Sequence, residues 1–204
     1  MKYALKEWST TIEALGKGLI TAIWRKGGID DIPSARTPYE SFNVEQNQFV
    51  LFPTFTHQKL NKIKQDCRFL LDQNIGPNKD NQIKIKFWAE VVNELIIENF
   101  EQLISASKEL VNSGEHLKDS WDLYPNHQGK ILLLRVYSLN DPILITNSPE
   151  YSSCKSWIEL KIDIPKSGSM PVLQFKEFNR KTRLVKKLVE QAKEISTDLP
   201  LTSI

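Results

Sequence analysis

Cysteine is scarce in this sequence: Cys67 and Cys154 are the two it has, and neither stands in a Cys-x-x-Cys spacing. Two such residues in a chain of 204 exclude the disulfide framework of a small secreted scaffold. With only His57, His116 and His127 scattered beside them, they also make no recognisable zinc-ligand pair, so no metal of that kind and no cofactor is expected. An excess of one charge is missing too. Lys plus Arg number 27 against 25 Asp plus Glu, a net +2 too small to mark the whole chain as a binder of nucleic acid or membrane, so any such surface has to be local. No window approaches the roughly 18 apolar residues of a membrane span. Lys6, Glu7 and Glu13 interrupt the start of the chain where a signal peptide needs an unbroken apolar stretch. A cytoplasmic protein with no membrane partner is expected. Internal repeats and highly specific catalytic signatures are absent as well.

What is present is enough to build a core, with 40% apolar residues, 25% charged residues and five Trp. The length suits one domain over 1–204, its core at about 4–170 and a terminal helix at about 175–196. Leu5, Trp8, Ile12 and Leu15 recur at helical spacing and predict a helix over 4–15, stopped by Gly16 and Gly18. Residues 19–24 read as a strand emptying through Arg25 and Lys26 into a Gly27-Gly28 turn. Pro33 and Pro38 make 29–43 a mobile loop. Strands are predicted at 49–52, 83–97 and 131–139, the last buried on both faces because Ile131 to Leu134 are four consecutive aliphatics. Helices are predicted over 57–71 and, capped by Asn99, over 100–111, with Gly114 closing the latter. Strict alternation over 156–164 predicts a half-buried strand, with Trp157 in the core although it shares the parity of Glu159 and Lys161. The expected class is α+β: a mixed, mostly antiparallel sheet or small open barrel with flanking helices and a C-terminal amphipathic helix.

The segments Ala-Leu-Lys-Glu-Trp at 4–8, Arg-Lys-Gly-Gly-Ile at 25–29, Phe-Pro-Thr at 52–54 with His57 and Gln58 behind it, Leu-Arg-Val-Tyr at 134–137 and Tyr-Ser-Ser-Cys-Lys-Ser-Trp-Ile-Glu-Leu at 151–160 together resemble a bacterial family frequent in cyanobacteria. It is the domain of unknown function numbered eighteen hundred and two. The resemblance runs from residue 4 to about 190, with a departure between about 65 and 128. It implies a small bacterial cytosolic protein and names no chemistry. A helix ending in Gly followed by a strand ending in Arg also resembles the opening of the small barrels of pseudouridine synthases and archaeosine transglycosylases, whose members bind RNA or modified bases.

Three readings of function compete. In the leading one the chain binds RNA, DNA or a nucleotide-like anion: Arg25, Lys26, Arg135 and Lys155 meet phosphates, and His57 with Gln58 reads base edges. The terminal helix adds Lys176, Arg180, Lys181, Arg183, Lys186, Lys187 and Lys193 as an electrostatic footprint. On this reading Arg25 and Lys26 are exposed charges whose removal weakens binding but hardly changes stability. In the second, Glu150 followed by Glu159-Leu160-Lys161 mimics the spaced acid and acid-x-lysine of Mg²⁺-dependent restriction-type nucleases; a solvated strand face explains the same residues. Cys154 beside Lys155 offers a weak nucleophile with no base assigned to it. In the third, the apolar stripe Phe178, Val185, Leu188, Val189, Ala192 and Ile195 of the last helix docks a protein partner.

Overall fold

The computed structural model describes residues 1–26, 42–71, 76–123, 127–152 and 155–197, with side chains to 193. The loop expected at 29–43 and the Gly27-Gly28 turn lie largely outside these residues, and Cys154 lies wholly outside them. In chain order the elements are β1 (Tyr3–Trp8), α1 (Ser9–Gly16), β2 (Ala22–Arg25), β3 (Gln48–Thr54), β4 (Gln82–Ile97), α2 (Phe100–Ala106), α3 (Gly114–Asp122), β5 (Gly129–Thr146), β6 (Trp157–Glu159), β7 (Met170–Pro171) and α4 (Phe175–Thr197). The fold is α+β. One mixed sheet runs β2-β5-β4-β3-β1-β6, with β7 added beside β5. Every pairing is antiparallel except that of β1 with β3.

Alternation along the strands divides the apolar side chains between a concave interior and two outer layers. Leu5, Ile23, Phe49, Leu51, Ala89, Leu132, Leu134 and Trp157, from six strands, share the interior with Ile12 and Leu15 of α1. Ala4, Val50, Phe52, Trp88 and Ile158 form one outer layer. Ala22, Ile131 and Leu133 form the other, beneath α2, α3 and α4. The aliphatic run of β5 is therefore buried on both faces as its composition predicts, Leu132 inward and Ile131 and Leu133 outward. The sheet curls far enough that Arg25, at the end of edge strand β2, donates to the carbonyl of Lys6 on β1 and pairs with Glu7 at 3.0 Å. These strands stand at opposite sides of the strand order, so the ion pair bridges the open seam of a partial barrel.

Several local expectations are corrected. The helix expected over 4–15 begins at Ser9, and 3–8 is a strand. β1 has a partner on each side, β3 and β6, and those non-local ladders override the helical spacing of its apolar residues. The helix does stop where the glycines predicted: Gly18 takes φ 66°, the Gly18 amide donates to Leu15 and the Leu19 amide reaches back to Ala14, which satisfies carbonyls left open at the helix end. Residues 57–71 form two 3₁₀ turns, Leu60–Lys62 and Gln65–Leu70, because Ile63 between them is extended and bridges Asn112. The same bridge draws 110–112 out of the helix expected to 111, so α2 stops at Ala106, though Asn99 caps it as expected by accepting from the Gln102 amide at 2.9 Å. Gly114 opens α3 rather than closing a helix. Beyond Glu159 the chain leaves the strand, keeping a hydrogen bond from the Leu160 amide to the Lys2 carbonyl and a reciprocal pair between Ile164 and Met1. Trp157 is 8% exposed while Glu159 and Lys161 are exposed, as expected in spite of their shared parity: Trp157 joins the interior and Ile158 an outer layer, so the start of β6 is buried on both faces.

The apolar stripe of α4 is turned inward: Phe178, Val185, Val189 and Ala192 are buried, and Val185 and Val189 pack with Leu103 and Ala106 of α2. These four residues of the stripe cover the core and do not present the docking face that the third reading needs.

Gly129 at the start of β5 lies under the Trp24 ring, where an added Cβ would fall 1.8 Å from the nearest ring carbon. Trp24 is held there by donating to Ser120 Oγ at 2.9 Å. Gly129→Ala should therefore cost roughly 1–3 kcal/mol through forced displacement of the ring, measured as a lower urea midpoint; an unchanged midpoint would show that the indole is free to move.

Candidate functional site

A cleft of about 540 Å³ opens where β1, β2 and β3 end, with α3 on one side and Ser152, Lys155 and Ser156 on the other. Its size falls within the range of small-ligand sites. The parallel pairing of β1 and β3 sets it there: both strands leave the sheet in the same direction, so Lys6, Glu7 and Trp8 stand beside Thr54, Thr56 and His57. Edge strand β2 adds Trp24, Arg25 and Lys26. Helix α3, capped by Ser113 accepting from the His116 amide at 3.1 Å, adds His116 and Ser120. The segment before β6 adds Ser152, Lys155 and Ser156.

The cations of this cleft are not equivalent. Arg25 is neutralised by Glu7, whose other carboxylate oxygen accepts from the Trp8 amide at 2.7 Å, and its guanidinium also lies 5.5 Å from the centre of the Phe42 ring. The two paired side chains keep 16% and 12% of their surface. Lys26 is 6% exposed; its ammonium donates to the Trp121 carbonyl and stands 4.9 Å from the Trp121 ring centre. Burial holds its pKa below the usual lysine value, and Asp122 opposes that shift. Neither is the exposed charge the sequence suggested, because the seam and the α3 contact absorb both. Lys155, by contrast, is exposed.

His116 stacks on Trp8 with ring centroids 4.7 Å apart and planes at 28°, and both rings are half-buried. Its Nδ1 is enclosed without a hydrogen-bond partner among the described residues. Desolvation first, then the charge of Lys62, lowers the imidazole pKa, while Asp119 raises it. The pair is a largely neutral aromatic platform beside a cationic wall. His57 lies at the exposed rim with φ 65°, a left-handed turn that leads the chain away from β3.

Four of the six binding residues expected from the sequence, Arg25, Lys26, His57 and Lys155, thus line one cleft. Gln58 is next to it, but its amide ties α1 to β3: Oε1 accepts from the Thr10 amide at 3.0 Å and Nε2 donates to the Thr54 carbonyl at 2.8 Å. Arg135 does not join them. It lies within β5, its guanidinium packed over Phe175 and Phe178 at the start of α4. In α4, Arg180 pairs with Glu177 at 2.7 Å, Lys193 with Glu98 at 2.9 Å, and Lys181 donates to the Leu19 carbonyl at 3.0 Å. Glu150 and Lys161 form an exposed ion pair at 2.9 Å, and no group of three potential metal-ligating side chains occurs among the described residues.

The sequence reading missed Trp8, His116 and Ser120. Trp8 shares the helical spacing of Leu5, Ile12 and Leu15, and no element is predicted over 114–122, where α3 forms. Ser113 before a run with Leu117 and Trp121 four apart was the signal for that helix.

A family model described as Domain of unknown function (DUF1802) matches residues 4–183, and the chain belongs to that family. No curated protein matches it. Crystal structures of two variants of the ZmASCH protein from Zymomonas mobilis align with it at 12% and 14% identity, TM-scores of 0.42 and 0.41, covering 89% of this chain and 94% and 96% of theirs. No helix among the described residues is long and apolar enough to cross a membrane.

The depressed pKa of His116 fixes a sign. The unfolded chain binds the proton more readily, so this contribution to stability is complete above the unfolded value near 6.5 and is lost as pH falls toward the folded value. Between about pH 7.5 and 5.5 the urea midpoint should fall further for the native protein than for His116→Phe, which keeps a stacked ring but cannot titrate. Equal pH dependence in the two proteins would count against a desolvated imidazole.

Proposed function

We propose that the cleft binds a nucleotide unit of single-stranded RNA or DNA, or a nucleotide-like anion, with Lys155 meeting phosphate and a base stacking against the Trp8–His116 platform. The observation that carries this reading is the placement of a half-buried aromatic pair and cationic side chains in one cleft. Base stacking on an aromatic ring contributes roughly 1–3 kcal/mol and tolerates any sequence. The positive field of Lys6 and Lys155 attracts the phosphate, and the hydroxyls of Thr54, Thr56, Ser120 and Ser152 offer polar partners for sugar or base edges. With Arg25 held by Glu7 and Lys26 by Trp121, phosphate contacts are few. This sets the cleft apart from an extended basic track.

The salt dependence follows. Each phosphate contact on a single strand adds a slope of roughly −0.7 to log affinity against log salt, so one or two contacts give a slope of about −0.7 to −1.4. Fluorescence anisotropy with labelled ten-nucleotide RNA and DNA should show that slope. Lys155→Ala should reduce it by about 0.7 while leaving thermal stability unchanged, since the side chain is exposed. No association at low salt, or a slope untouched by Lys155→Ala, would contradict the assignment.

A further inference from the structure

A second cavity, of about 670 Å³, lies on the concave side of the sheet where β4 and β5 extend past α1, and the nucleotide reading makes no use of it. Its apolar part comes from Leu51, Pro53, Phe55 and Leu144, of which Leu51 is buried and Phe55 half-buried. Its charge comes from Lys79, Lys84 and Lys86 against the single carboxylate of Glu13. Glu13 is already paired with Lys86. Lys79 and Lys84 are exposed and have no ion-pair partner among the described residues. Two ammonium groups with no ion-pair partner among the described residues therefore line a basin with an apolar wall.

We infer that this basin is a binding site for a phosphate monoester with an apolar, aromatic-sized body. The charge argues for the head group, because a phosphate monoester carries about −1.5 to −2 at pH 7 and matches two lysines. The wall argues for the body: Phe55 and Leu144 offer contact area that a bare phosphate would leave unused. The polar groups of the basin argue against a nucleoside. Asn78 and Gln82 are joined to each other at 2.9 Å, and Asn78 Oδ1 accepts from the amides of Asp80 and Gln82, so these side chains brace the turn before β4. Recognition then rests on charge and apolar contact, whereas the cleft at the ends of β1 and β3 combines stacking rings with hydroxyls.

Isothermal titration with 2-naphthyl phosphate tests the site, with inorganic phosphate and 2-naphthol as the two halves of the ligand. The whole ligand should bind one to one, at least tenfold tighter than either half. Lys79→Ala together with Lys84→Ala should weaken it about tenfold without changing the melting temperature or the affinity for the ten-nucleotide strand. Naphthyl phosphate binding no tighter than its halves, an affinity unchanged in the double variant, or displacement by the oligonucleotide would each overturn the proposal. Because the oligonucleotide is measured separately, failure here is distinct from failure of the nucleotide cleft.

Discussion

Arg25 and Glu7 meet between two strands that the hydrogen-bond ladder never joins. β2 enters the strand order at one side and β1 lies four strands away, yet the guanidinium reaches both the Glu7 carboxylate and the Lys6 carbonyl. A flat sheet could not bring these groups together. The interior layer, to which six strands contribute, explains why curling is favourable: one concave face buries Leu5, Ile23, Phe49, Leu51, Ala89, Leu132, Leu134 and Trp157 against one another. Arg25 then holds the seam. Glu7 and Trp8 follow each other at the seam, so the contact that closes the barrel also sets the stacking platform of the cleft.

This dual placement explains which cations are left for a ligand. A charge that supports the fold is desolvated and paired, and one that serves binding stays in water. Arg25 and Lys26 belong to the first kind and Lys155 to the second. In sequence the three are alike, because burial is set by the partner strand and by α3, both far along the chain. The same holds for α4, where Glu177, Glu98 and the Leu19 carbonyl engage three of the cations counted as a basic footprint.

The legible parts of the fold were those governed by short-range pattern. The four aliphatics of β5 announced burial on both faces, Asn99 announced a helix start, and Gly18 announced a helix end. β1 was not legible, since its helical spacing is real and only its two ladders make it a strand. The Ile63–Asn112 bridge likewise decides two helix boundaries from 49 residues' worth of separation that no local window contains. Of the cleft, Arg25, Lys26, His57 and Lys155 could be named from their local segments, though not which of the cations stay in water. The Trp8–His116 stack could not, because it joins the end of one strand to a helix more than a hundred residues later.

A double-mutant cycle on Glu7 and Arg25, with Glu7→Gln, Arg25→Met and the pair measured by urea unfolding, tests the seam most directly. A pair that closes the sheet while largely shielded from water should show a coupling energy of about 2 kcal/mol, within the range for directly interacting residues. The double variant should then be less unstable than the sum of the single ones. A coupling below about 0.5 kcal/mol, as for an exposed surface pair, would contradict the account.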